Sequence, residues 1–177
     1  DSQARYAKDT AYSYQTTGTG ANSYNTNKSS VNLTVGTGVG TSVAQTYRVF
    51  PYQPGKSLLT MQTFTMAASQ TNLNQKLGYF STNNGVYFQQ TSAGLAFVLR
   101  TYTSGAVTET TVLQSNWNGD PLNGTGKSGI TLDVTKTQIL FFDFEWLGVG
   151  AVRCGFIING NFYNCHTFYN ANTTNTV

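Results

Sequence analysis

Apolar and polar residues alternate along much of the chain with a period of two, which is typical of β-strands. The clearest run is residues 139–146, with the sequence ILFFDFEW. Successive side chains of an extended chain point to opposite faces. The predicted buried face of this strand consists of Leu140, Phe142, Phe144 and Trp146. The other face carries the acidic residues Asp143 and Glu145 together with Phe141.

The run is followed by a predicted β-hairpin. Residues 151–158 and 161–168 are both rich in β-branched and aromatic residues, and Asn159-Gly160 lies between them. Asn-Gly flanked by such segments is the strongest short-range hairpin signal, because both residues tolerate positive φ.

Weaker patterns predict strands in the rest of the chain, at residues 31–35, 46–50, 57–66, 76–80, 86–90, 95–102 and 107–113. Turn sequences separate them, and no segment has a convincing helical period. About ten short strands with this spacing indicate an all-β fold, an antiparallel β-sandwich or jelly roll.

The first part of the chain has a different composition. Residues 1–30 are rich in Ser, Thr, Asn, Gly and Tyr and cannot bury enough apolar surface to offset their ordering entropy. We therefore predict an extended N-terminal arm that another subunit orders, or a flexible terminal segment. Residues 31–177 are predicted to form the β-sandwich domain.

Composition and charge narrow the function classes. The chain has 177 residues, of which 10% are charged, and a formal net charge of +3. The basic residues form no cluster, so nucleic-acid binding has little support. No apolar run approaches the roughly 18 residues of a membrane-spanning helix, so no membrane span is predicted.

Cys154 and Cys165 are the two cysteines of the chain. Counting back from a two-residue turn at Asn159-Gly160 places them opposite each other. Directly opposed residues have Cα atoms roughly 4.5–5.5 Å apart, within the range that a disulfide requires. A cross-strand disulfide is therefore one prediction, and a pair of buried free thiols is the alternative.

Residues suited to catalysis are few. His166 is the sole histidine, and adjacent strand residues point to opposite faces, so it cannot form a dyad with Cys165. The same count places it opposite Arg153, which disfavours its protonated form. The sequence therefore predicts no catalytic residue, no metal site and no cofactor, and a packed role for His166.

Asp143 and Glu145 are the one pair of carboxylates that suggests a reaction. Residues 143–148 resemble part of the signature of laminarinase-like glycoside hydrolases, which also use a jelly-roll sandwich. That family places its nucleophile where this chain has Phe141, so the resemblance implies at most a catalytically dead glycosidase fold. The alternative is that both carboxylates balance Arg153 and nearby lysines on a half-exposed face.

A broader resemblance covers roughly residues 45–172. The segments that carry it are RVFPYQPGKS (48–57), LGYF (77–80), NNGVYF (83–88), QSNWN (114–118), DPLNGTG (120–126), SGITLD (128–133) and the stretch from Thr137 through the final hairpin. They resemble a family of virion structural proteins of tailed phages and related environmental viruses. The resemblance implies a non-enzymatic component of the virion, on the capsid, tail or fibre, whose partners are copies of itself and other virion proteins.

The long loop at residues 114–128 supports a competing hypothesis, a glycan-binding module. Loops of this length are often functional. Trp117 and Tyr52 are candidates for stacking on sugar rings, and Asp120 is a candidate polar contact. A virion protein on the particle surface can combine both roles by touching a host-surface glycan.

Overall fold

The computed structural model of the chain describes residues 4–51, 56–145 and 150–170. The chain divides into two compact units, Asp1–Pro51 and Tyr52–Val177. The boundary predicted from the sequence, between residues 30 and 31, falls inside the first unit. The division lies elsewhere because the residues on both sides of position 30 belong to one hairpin.

The first unit is built on a long two-stranded hairpin. Strands β1 (Tyr12–Asn25) and β2 (Ser30–Thr46) pair antiparallel. Their register shifts at Gly18, where φ is 55°. A Cβ at this position would lie 2.1 Å from the carbonyl oxygen of Val39, so the bulge requires a glycine.

The residues before β1 lie along this hairpin. The Tyr24 hydroxyl donates to the carbonyl oxygen of Arg5 at 2.8 Å. The Lys8 ammonium donates to the carbonyl oxygen of Asn22 at 3.1 Å and lies 5.3 Å from the ring centroid of Tyr14. The extended arm predicted for residues 1–30 is thus not confirmed, because much of it is hydrogen-bonded within this unit.

Two strand predictions near this hairpin need correction. Residues 31–35 are part of β2, which is far longer than predicted, and residues 47–51 form no strand. Thr, Ser and Gly dominate the remainder of β2 and give no apolar alternation. The strand forms there because β1 supplies its hydrogen-bonding partner.

The second unit contains two four-stranded antiparallel sheets. Its strands in chain order are β3 (Leu58–Phe64), β4 (Gln75–Phe80), β5 (Gly85–Thr91), β6 (Gly94–Thr101), β7 (Thr108–Leu113), β8 (Gln138–Phe144), β9 (Ala151–Ile158) and β10 (Asn161–Tyr169). The first sheet has the order β10-β9-β8-β3 and the second the order β4-β5-β6-β7. A 3₁₀ turn, η1 (Gln114–Asn116), follows β7.

The two sheets share one hydrophobic core. Phe156 on β9 lies with its ring centroid 5.3 Å from that of Phe88 and 6.1 Å from that of Phe97, both on the second sheet. All three side chains are fully buried. This confirms the all-β antiparallel prediction and is compatible with a β-sandwich. The jelly-roll topology is not confirmed, since hydrogen-bonded neighbours in the second sheet are consecutive in sequence.

The predicted buried face of β8 is confirmed in its centre. Leu140 and Phe142 are each 1% exposed. Phe144 is only half-buried, with its ring 5.4 Å from that of Tyr79. Trp146 lies outside the described residues.

Phe141 is buried although it points to the opposite face of the first sheet. Its neighbour on β9 is Gly155, where a Cβ would come within 2.8 Å of the Phe141 ring. The ring therefore lies over the glycine, and it also contacts Phe162 edge to face at a centroid distance of 5.1 Å. An aromatic ring that covers a glycine in this way stabilises a sheet at a position where backbone would otherwise be exposed.

The Asn159-Gly160 hairpin is confirmed. Asn159 has φ 52° and Gly160 has φ 79°, the two positive values that a type I′ turn requires. β9 and β10 pair directly from Ile158 and Asn161 onward. The register then shifts between Asn164 and His166, with consequences for the cysteines.

Candidate functional site

The loop after η1 is organised by Asp120. One carboxylate oxygen accepts the backbone N–H of Leu122 at 3.0 Å, and the other accepts that of Ser128 at 2.8 Å. Desolvation acts to raise the pKa of Asp120, but these backbone donors outweigh it, so the pKa is lowered. Leu122 is fully buried and anchors the loop to the core.

The loop also covers the edge of β10. The backbone N–H groups of Gly119 and Asp120 donate to the carbonyl oxygens of Cys165 and Asn164, at 2.9 and 3.0 Å. A Cβ on Gly119 would lie 2.3 Å from the oxygen of Asn164, so only glycine allows this approach. Covering an edge strand with a loop prevents uncontrolled pairing there.

The side chain of Asn118 continues this arrangement. Its amide nitrogen donates to the carbonyl oxygen of Thr167 at 2.9 Å, and its amide oxygen accepts the Thr167 N–H at 2.8 Å. The amide thus satisfies both backbone groups of one edge residue, as a neighbouring strand would.

A polar cavity of about 340 Å³ opens between this loop and β10. Its lining residues are Asn118, Gly119, Asp120, Lys127 and Asn164. A cavity of this size can hold a small ligand. Several of its polar groups already bond to the protein, however, and Lys127 is the exposed cation on its lining.

Trp117 does not offer a surface to a sugar. It is 7% exposed, its ring centroid lies 4.7 Å from that of Phe97, and its indole N–H donates to the carbonyl oxygen of Val112 at 3.2 Å. The turn at η1 directs the side chain inward. The stacking role predicted for Trp117 is therefore wrong. Tyr52, its predicted partner, lies outside the described residues, and Asp120 does line the polar cavity.

The two cysteines are free and buried. The disulfide prediction is wrong because the register shift at Cys165 pairs Cys154 with His166 instead. Burial raises the pKa of Cys165 to about 12, with a further contribution from Asp120. Burial, and then the proximity of Cys165, raises the pKa of Cys154 as well. Both thiols therefore remain protonated and unreactive at neutral pH.

His166 is a packed residue, as predicted, although its neighbours differ. Thr167, not His166, pairs with Arg153. The His166 ring lies 4.5 Å from that of Phe168, and its Nδ1 accepts the N–H of Asn118 at 3.4 Å. Burial lowers the pKa of the imidazole, so the neutral form persists at neutral pH.

Asp143 and Glu145 share one cation. Arg153 donates to Asp143 at 2.7 and 3.2 Å and also to Glu145. This confirms Arg153 as the predicted counter-ion of both carboxylates. Two carboxylates held by one guanidinium next to the buried ring of Phe141 lack the nucleophile geometry of a retaining glycosidase.

A second charged cluster lies on the outer face of the second sheet. The Tyr87 hydroxyl donates to Glu109 at 2.8 Å, and Arg100 donates to the same oxygen at 2.6 and 2.8 Å. The bond from Tyr87 is the main cause of the lowered pKa of Glu109. Desolvation, followed by the bond to Glu109, raises the pKa of Tyr87 to about 12. Sequence analysis missed this cluster because its members come from three strands.

Neither a metal-ligand cluster nor a membrane-spanning helix occurs within the described ranges. No three His, Cys, Asp or Glu side chains gather there as a metal site would require. No helix in the same ranges is long and apolar enough to cross a membrane. Comparison with protein-family models, with curated proteins and with solved structures finds no match to the chain.

Proposed function

We propose that this protein is a non-enzymatic structural component of a virus particle that assembles with copies of itself and with other virion proteins. The observation that carries the proposal is the hairpin of the first unit. Its strands are 14 and 17 residues long, yet no third strand joins them in the part of the chain that is described. A two-stranded hairpin is marginally stable alone, and further strands or packing against a neighbour stabilise it.

The side chains of the hairpin support an assembly role. Leu33, Val35 and Val43 on β2 are exposed, and Val39 at the bulge is 97% exposed. Isolated exposed apolar residues are common, but four on one strand favour a surface that a partner covers. The resemblance of residues 45–172 to virion structural proteins supports virion proteins as the kind of partner.

The residues that suggested a catalytic role in the sequence also support a structural function. Asp143 and Glu145 bind Arg153, and His166 is buried and neutral. Each of these groups has a structural role in the sheet to which it belongs.

Contact with a host-surface glycan is a secondary element of this proposal. It would use the polar cavity at Asp120 and Lys127, since Trp117 faces the core. The cavity is large enough for one sugar unit and lies on a loop, where binding residues are common.

Mass spectrometry of purified particles of the virus that encodes this chain tests the location. We expect its peptides in the particles at a copy number comparable to that of other structural proteins, and retained through density-gradient purification. Peptides found only in the lysate of infected cells, and lost from purified particles, would contradict the proposal.

A further inference from the structure

The outward-facing side of the first sheet carries an apolar surface that crosses all four strands. We call it the outer apolar face, and it consists of Leu59, Met61, Ile139, Phe141, Ile157 and Phe162. Register places Met61 beside Phe141, and Ile157 between Ile139 and Phe162. The residues are therefore contiguous across the sheet.

Several members of this face are open to solvent. The exposed fractions are 58% for Met61, 56% for Phe162, 48% for Leu59 and 37% for Ile139. An antiparallel sheet with one solvated side normally has polar residues there. Here the charged residues of the same side, Asp143 and Arg153, form an ion pair at one end of the face. Register adds two uncharged polar residues to this side, Thr63 beside Ile139 and Asn164 beside Gly155.

We infer that the outer apolar face is a docking surface for the same face of a second copy of this chain. The inference rests on the proposed assembly function and names one of its interfaces. Stacking of two sheets about 10 Å apart is a standard packing arrangement for faces of this kind.

The size of the outer apolar face suits a weak contact with the same face of a second copy. Four strands about 4.8 Å apart, covered over about five residues each, give a face of roughly 20 Å by 20 Å. Two such faces together bury roughly 800 Å², which is below the roughly 1,000 Å² of a stable interface and in the range of a weak one. A contact of this size gives a weak dimer, and many copies in one particle make weak contacts effective through avidity.

The distribution of side chains makes the face complementary to itself. Met61 protrudes at the β3 edge and Phe162 at the β10 edge, while Phe141 lies flat over Gly155 near the centre. A two-fold axis along the strands places β3 of each copy over β10 of the other, with Met61 two residues along the strand from Phe162. Thioether and aromatic side chains interact favourably, and the symmetry forms this contact twice.

Ile139→Cys tests the proposal by cross-linking. Ile139 is on a central strand, so a two-fold contact brings the two substituted positions close together. We expect a bifunctional maleimide that spans about 10 Å, the separation of stacked sheets, to give a covalent dimer. Cys154 and Cys165 are fully buried and do not react in the folded chain. Val107→Cys, at an exposed residue of the turn before β7, is the matched control and gives no dimer.

A second variant and sedimentation velocity on the same samples separate the possible failures. Phe162→Glu is expected to weaken association about tenfold or more, and Val107→Glu to leave it unchanged. If the chain forms oligomers but the Ile139→Cys variant gives no cross-linked dimer, this interface is overturned and the assembly proposal stands. The same holds if Phe162→Glu leaves the association unchanged. Monomers at micromolar concentration in every sample would overturn both.

Discussion

Phe156→Ala lowers the free energy of unfolding by about 3–5 kcal/mol, the cost of removing a large buried aromatic side chain. Phe156 is fully buried on the first sheet, and the rings around it come from both sheets. These neighbours are Phe64, Phe88, Phe97 and Trp117, with centroids between 5.3 and 6.5 Å away. The substitution leaves a cavity where the two sheets meet, and surrounding residues on rigid strands cannot collapse into it.

Urea unfolding followed by circular dichroism measures this effect. Phe156→Leu conserves most of the volume and is expected to cost less than about 1.5 kcal/mol. Tyr102→Ala, at a residue that is 44% exposed, should change stability by no more than about 0.5 kcal/mol. An unchanged midpoint for Phe156→Ala would mean that the two sheets do not pack together through this residue.

Trp117→Ala has the second large expected effect, also about 3–5 kcal/mol. The indole fills space between Phe97 and Phe156, and its N–H satisfies the carbonyl oxygen of Val112. The substitution removes that hydrogen bond as well as the packing. Because Trp117 directly precedes the segment that covers β10, we also expect faster hydrogen exchange at Gly119 and Asp120.

Trp117→Phe is the control for this variant. It keeps an aromatic ring in the core but removes the indole donor, so its cost should be clearly smaller. Thermal unfolding of both variants, read by near-ultraviolet circular dichroism, gives the comparison. A Trp117→Ala variant as stable as the unsubstituted chain would indicate an exposed indole and restore the sugar-stacking hypothesis.

The sequence predicts the second unit well where local signals agree with tertiary packing. Strands β3 to β10 are all predicted within a few residues of their observed bounds, and apolar alternation and Gly-containing turns mark most of them. The Asn159-Gly160 turn was predictable for the same reason. Its two positive φ values are a property of those two residue types.

The first unit was predicted poorly because its strands are polar. β1 contains Thr, Ser, Gln and Asn in place of apolar residues, so a period of two is not visible in it. The signal that was available is the Asn-Thr-Asn-Lys-Ser sequence at residues 25–29, a turn between two Thr-rich segments. Pairing partners determine such strands, and a single segment does not reveal its partner.

The errors at the candidate site have two local causes, a change of register in β10 and the turn at η1. The shift near Cys165 pairs Cys154 with His166 in place of Cys165 and gives Thr167 the place predicted for His166. The turn at η1 points Trp117 inward, although aromatic residues in a polar loop often face solvent. Bulges and short turns depend on contacts with distant segments, which periodicity does not encode.

Sedimentation velocity of the full chain over a range of micromolar concentrations tests the central claim, that this protein functions by assembly. We predict a concentration-dependent increase of the sedimentation coefficient beyond that of a 19.2 kDa monomer. A single monomeric species at every concentration would contradict it.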